Sequence, residues 1–88
     1  MRRAARVDSN QLKIVAALRS VGASVFVIGL PVDLLVGYKD RTLLMEVKTG
    51  PKKPLTALQA DFFEKWTGGT LCRVDSPDAA LRMIGVIE

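Results

Sequence analysis

The sequence predicts a small α/β domain with the element order α-β-β-β-α-β-α and a mixed four-stranded sheet. The apolar periodicity changes along the chain, from helical spacing near the start to β-branched runs in the middle. Gly, Pro and capping residues stand at the joints between those runs. Size agrees: 88 residues, 49% from the hydrophobic set and 25% charged, hold one modest core in two layers. No internal repeat, low-complexity tract or long linker divides the chain, so residues 1–88 read as one domain with a basic arm over residues 1–7.

Residues 8–21 carry Leu12, Val15, Ala16 and Leu18 at mostly helical spacing, and Gly22 stops that helix. Asp8-Ser9-Asn10-Gln11 has the pattern of a capping box, with Asp8 as the cap. Residues 24–28 are β-branched and aromatic, hence a strand, and Gly29-Leu30-Pro31 punctuates it. A second short strand fits residues 33–36. After the turn Gly37-Tyr38-Lys39-Asp40, residues 42–48 read as a third strand, apolar on both faces for most of its length and therefore central. Gly50-Pro51-Lys52-Lys53-Pro54 is a stiff basic loop. Residues 56–66 form a second helix with Leu58, Phe62 and Trp66 along one stripe, ended by Gly68-Gly69. Residues 70–74 make the fourth strand, and Ser76-Pro77-Asp78 caps a last helix through Ile84. Phe26, Phe62, Phe63 and Trp66 fall on element faces and read as core and interface, and Cys72 as a small core hydrophobe.

Composition removes several kinds of chemistry. With no His and one Cys, Cys/His zinc modules, Ser-His or Cys-His nucleophile pairs and disulfide frameworks are excluded. A net charge of +4 favours an anionic partner. The charge-free stretch containing Val21 to Val32 falls short of the roughly 18–20 apolar residues of a membrane span, and Met1-Arg2-Arg3 is not followed by an apolar signal region. A cytoplasmic protein without membrane contact is expected.

Carboxylates, a lysine and a borrowed metal remain. In an antiparallel hairpin turning between Lys39 and Asp40, Asp33 falls opposite Glu46, with Cβ atoms about 4.5–5.5 Å apart. Two carboxylates at that separation can share a hard divalent cation, whose oxygen ligands lie at about 2.0–2.1 Å for Mg²⁺. Residues two apart on a strand share a face, so Lys48 is expected beside Glu46, placed to act on the attacking water or a phosphate.

These residues also carry a resemblance. Val32-Asp33 followed by Glu46-Val47-Lys48 resembles the PD-(D/E)XK nuclease motif, and the element order resembles the restriction-endonuclease-like core of that superfamily. Within it, Pro31-Val32-Asp33-Leu34-Leu35-Val36, Leu44-Met45-Glu46-Val47-Lys48-Thr49-Gly50 and Leu55-Thr56-Ala57-Leu58-Gln59 resemble the VRR-NUC branch of small phage and repair-associated nucleases. The resemblance covers residues 8–84. It implies a Mg²⁺- or Mn²⁺-dependent endonuclease on structured DNA, and in stand-alone forms a homodimer that resolves four-way (Holliday) junctions. Carried over by position, it implies Asp33 and Glu46 as metal ligands with the Val47 carbonyl as a third. It makes Lys48 the catalytic lysine and Gln59 the helix residue near the site. Two positions depart from the pattern: Val32 stands between Pro31 and Asp33, and the first helix reads Asn10-Gln11-Leu12-Lys13 where many relatives have a Glu facing the metal. Asp8 or the Gln11 amide is left to stand in.

Plainer roles stand beside these. Thr56-Ala57-Leu58-Gln59 is itself a capping box, so Gln59 is a cap or a site residue. Lys52, Lys53 and Arg6 are the expected nucleic-acid contacts, with a solvated basic surface as the alternative. Three functions follow: a metal-dependent endonuclease, a non-cleaving branched-DNA or protein-binding module on a nuclease fold, and a structural subunit. A homodimer is expected to form through the apolar residues of the second and last helices, Phe62, Phe63 and Trp66 with Leu81, Met83 and Ile84.

Overall fold

The computed structural model describes residues 9–48 and 54–88. The arm with Arg2, Arg3 and Arg6, the cap Asp8, and Lys52 and Lys53 lie outside the described residues. The elements follow the expected order: α1 (Ser9–Ser20), β1 (Ser24–Val27), β2 (Leu34–Tyr38), β3 (Arg41–Val47), α2 (Ala57–Lys65), β4 (Thr70–Val74) and α3 (Pro77–Met83). The four strands lie in the order β1-β2-β3-β4. β1 pairs β2 and β2 pairs β3 antiparallel, while β3 and β4 run parallel across the connection that contains α2. The sheet is therefore mixed and β3 lies inside it.

Local chemistry accounts for the joints. Gly22, at φ 94°, lets α1 close with the Gly22 N–H on the Arg19 carbonyl and the Ala23 N–H on the Leu18 carbonyl, a paired helix ending that needs a left-handed residue. Gly85, at φ 87°, ends α3 the same way, with Gly85 bonding to Arg82 and Val86 to Leu81. Ser76 starts α3 by accepting from the Ala79 N–H at 3.0 Å, with Pro77 at the first helical position. Lys39 and Asp40 both have positive φ, 48° and 66°, as a two-residue hairpin loop requires, and Tyr38 pairs directly with Arg41.

Only one face of the sheet is fully covered. Ile14, Val15 and Leu18 of α1 and Ala80 of α3, with Ile84 just beyond it, pack on Val25, Leu34, Val36, Leu43, Met45, Val47 and Val74. Each large side chain fully buried there, Leu34 or Met45 for example, contributes about 1.5–3 kcal/mol through its apolar area. The inward stripe of α1 thus differs from the expected one. Leu12 is 58% exposed, and the row that points inward is Gln11, Ile14, Val15 and Leu18. Arg41 reinforces the layer by donating to the carbonyls of Met83 and Ile84, and Arg19 by donating to that of Val25.

The second face carries Phe26, Leu35, Leu44, Glu46 and Arg73 by alternation from the core positions. It is half-open. Phe26 is 63% exposed, which corrects the expectation that it belongs to the core. α2 buries no residue completely: Phe62 and Phe63 are half-buried, while Leu58 and Trp66 of the expected stripe are exposed. The helix ends at Lys65, one residue early, with Trp66 as an extended C-cap. Gly68 and Gly69 do not end it by left-handed conformation. They leave room: a Cβ on Gly68 would run into the Trp66 ring, and one on Gly69 would meet the Thr42 carbonyl oxygen at 2.9 Å. Trp66 lies 5.2 Å from the Phe62 ring and donates from Nε1 to the Gly69 carbonyl at 2.7 Å, which fixes the corner before β4. Cys72 is half-buried against the core as a small hydrophobe, and burial pushes its thiol up to about 11. No helix among the described residues is long and apolar enough to cross a membrane.

Candidate functional site

The register of β2 and β3 brings the two acids together. Leu34 pairs with Met45, so Asp33, one residue before β2, falls beside Glu46 at the open end of the hairpin. Asp33 is held on two sides. Its backbone carbonyl accepts from the N–H groups of Ile28 at 2.9 Å and Gly29 at 3.3 Å, and its Oδ2 accepts from the Val47 N–H at 2.8 Å.

Glu46 is strained electrostatically. Burial raises its pKa above the ordinary glutamate range, the nearby Asp33 charge raises it further, and a hydrogen bond from the Gln59 side chain lowers it only in part. Its Oε1 is buried and has no hydrogen-bond partner. An orphaned carboxylate oxygen next to a second carboxylate costs stability and gains nothing structural in return.

A cleft of about 260 Å³ opens over this pair, lined by Gln11, Asp33, Glu46, Val47, Pro54, Thr56, Gln59 and Arg73. Gln59 caps α2 and lines the cleft. Its Oε1 accepts from the Thr56 N–H at 3.2 Å and its own N–H donates to Thr56 Oγ1 at 3.2 Å, completing the capping box, while its side chain also reaches Glu46. One residue does both because α2 begins at the cleft. Gln11 arrives from α1, one turn before Ile14 and Val15, and lines the cleft.

Lys48 is not among the residues that line the cleft. It lies just past β3, where its N–H donates to the Val74 carbonyl at 2.8 Å and its carbonyl accepts from Asn10 Nδ2 at 3.1 Å. Asn10 Nδ2 also reaches the Asp75 carbonyl at 3.1 Å, so α1 fastens the ends of β3 and β4 together beside the site. Neither Asn10 nor Arg73 stood out in the sequence as a site residue. For Asn10 the signal was a polar residue in the first turn of a helix, and for Arg73 a charge alternating with apolar residues on β4.

The donor set suits one small hard cation. Among the described residues no group of three or more His, Cys, Asp or Glu side chains converges, and the side-chain donors at the cleft are the carboxylates of Asp33 and Glu46. Mg²⁺ commonly binds through one or two carboxylates, keeping waters and substrate phosphates as its other ligands, and Glu46 Oε1 is a buried carboxylate oxygen without a hydrogen-bond partner. No family model, curated protein or solved structure matches the chain.

Proposed function

We propose that this protein is a divalent-metal-dependent endonuclease of the PD-(D/E)XK type, close to the VRR-NUC branch, that hydrolyses phosphodiester bonds in structured DNA. Four-way junctions are its expected substrate and a homodimer its working form. The observation that carries the reading is the buried, unpartnered Oε1 of Glu46 beside Asp33, at the mouth of a cleft reached by three polar side chains from two helices and β4.

Asp33 and Glu46 would hold Mg²⁺ or Mn²⁺, with the Val47 carbonyl as the backbone ligand. When bound, the cation supplies Lewis acidity toward a phosphate oxygen and lowers the pKa of water. The chain's own groups prepare the reaction. The Val47 N–H fixes the Asp33 carboxylate, the Gln59 amide orients that of Glu46, and Pro54 and Thr56 wall the cleft. Lys48, one residue beyond Val47 and outside the cleft lining, is the motif lysine that would act on the water or the scissile phosphate. Two symmetric copies supply one site for each of two scissile strands.

Of the α2 and α3 residues expected to meet a second copy, Ile84 is buried, Leu81 and Met83 pack against the core, Phe62 and Phe63 are half-buried and Trp66 is exposed. Large exposed apolar residues are concentrated instead on the edge strand β1 and the loop after it: Phe26, Val27, Ile28 and Leu30. An exposed apolar edge strand calls for a cover.

A second reading, a module that binds branched DNA without cutting it, is favoured by Gln11, an amide where α1 meets the cleft. Calorimetric titration with Mg²⁺ and Mn²⁺, followed by cleavage assays on duplex, flap and four-way DNA, separates the two. Cation binding with cutting supports the nuclease; DNA binding without either supports the module.

A further inference from the structure

We infer that Arg73 is the cleft's phosphate-binding residue, the group that receives the non-bridging oxygens of the DNA backbone beside the acid pair. This rests on the reading of the cleft as a phosphodiester site and adds a residue that the sequence motif does not contain.

The placement comes from the parallel half of the sheet. Glu46 and Arg73 are register partners on β3 and β4, so their side chains leave the same face on adjacent strands, and both line the cleft. Among the described residues of that lining, Arg73 is the one cation. The rest are the acids Asp33 and Glu46, the neutral polar Gln11, Thr56 and Gln59, and Val47 and Pro54. Lys48, the cation the motif supplies, does not line the cleft.

Two carboxylates repel an approaching phosphodiester, and a cation on the neighbouring strand offsets that repulsion where the chain must pass. Guanidinium is suited to this task. Its planar fork of N–H donors matches two phosphate oxygens at once. Contacts of this kind position the backbone and carry no sequence information. The preferred substrate is therefore distinguished by shape.

Binding of a four-way DNA junction to the full chain in EDTA, without metal, tests the assignment. It is measured for the parent, Arg73→Gln, Arg73→Lys and a control, Lys39→Gln, at the hairpin tip away from the cleft, each checked by thermal melting. Arg73→Gln is expected to weaken binding about tenfold at low salt. The slope of log K against log salt should flatten by about one, so that the deficit shrinks about threefold between 50 and 200 mM salt. Arg73→Lys should keep the slope with a smaller loss, and Lys39→Gln should match the parent.

An Arg73→Gln protein that melts like the parent and binds with the parent's affinity and slope overturns the assignment. Should that variant fail to fold, Arg73→Lys decides, and unchanged affinity there overturns it. A parent that cleaves the junction while Arg73→Gln binds and cleaves equally well leaves the nuclease standing and removes only Arg73. A parent that binds no DNA at any salt removes both.

Discussion

The Val47 N–H donates to Asp33 Oδ2 at 2.8 Å, so a side chain makes the hydrogen bond to β3 just where the backbone ladder with β2 ends at Leu34. Asp33 therefore has a structural duty beside its proposed chemical one, and the two are separable. Asparagine keeps an acceptor oxygen in the same place. Asp33→Asn should fold nearly as stably as the parent, whereas Asp33→Ala leaves the Val47 N–H unmatched and should cost about 1–3 kcal/mol in urea unfolding.

Substitutions of the acid pair bear on the chemistry. Asp33→Asn and Glu46→Gln each remove one of the two charges facing the cation, so both should abolish Mg²⁺ or Mn²⁺ binding in calorimetry and cleavage with it. Lys48→Ala removes a positive charge, so metal affinity should hold or rise while single-turnover cleavage falls by about 10²- to 10⁴-fold. Unchanged cleavage by Lys48→Ala would remove that residue from the mechanism and leave the acid pair in place.

Glu46 makes stability depend on pH with a definite sign. Burial and the Asp33 charge raise its folded pKa above the unfolded value, so its stabilising contribution is present below the unfolded pKa and is lost as pH rises through the folded one. Without metal, Glu46→Gln should melt above the parent at pH 7–8, and the two should converge near pH ~4, around the ordinary glutamate value. Added Mg²⁺ should raise the parent's melting temperature and leave that of Glu46→Gln unmoved. Coincident melting curves across the whole range would show that the carboxylate is not under electrostatic stress.

The corner before β4 should tolerate no side chain. Gly69→Ala presses a methyl group against the Thr42 carbonyl oxygen, where only backbone is available to give way. Gly68→Ala displaces the Trp66 ring and its bond to Gly69. Each should destabilise by about 1–3 kcal/mol, the usual cost of overpacking. Because neither glycine has a left-handed backbone, Asn at these positions should be no better than Ala.

Self-association should respond to β1 and not to α3. Phe26→Asp combined with Val27→Lys charges the exposed edge without touching a buried residue. Sedimentation at tens of micromolar should show the parent as a dimer and this variant as a monomer with an unchanged melting temperature. A parent that sediments only as a monomer, with and without DNA, would rule out the dimer.

Element order, caps and the hairpin were legible in the sequence because each depends on residues a few positions apart. Ser76 meets Ala79, Thr56 meets Gln59, Gly22 follows the last turn of α1, and a two-residue turn at Lys39 and Asp40 sets Asp33 beside Glu46. The remaining features required the folded chain. β3 and β4 are joined through a helix instead of a tight turn, so nothing local specifies the register that pairs Arg73 with Glu46. A helix advances about 100° per residue, and a small rotation of α1 against α3 and the sheet decided that Gln11 and Ile14 face inward and Leu12 outward. Asn10 bonds to carbonyls 38 and 65 residues away, a distance over which periodicity says nothing. Phe26 stays exposed because α2 leaves the β1 side of the second face open. Spacing along the chain determined the acid pair through one short turn; its cation, its first-helix amide and its open flank were decided by packing between segments the sequence does not bring close.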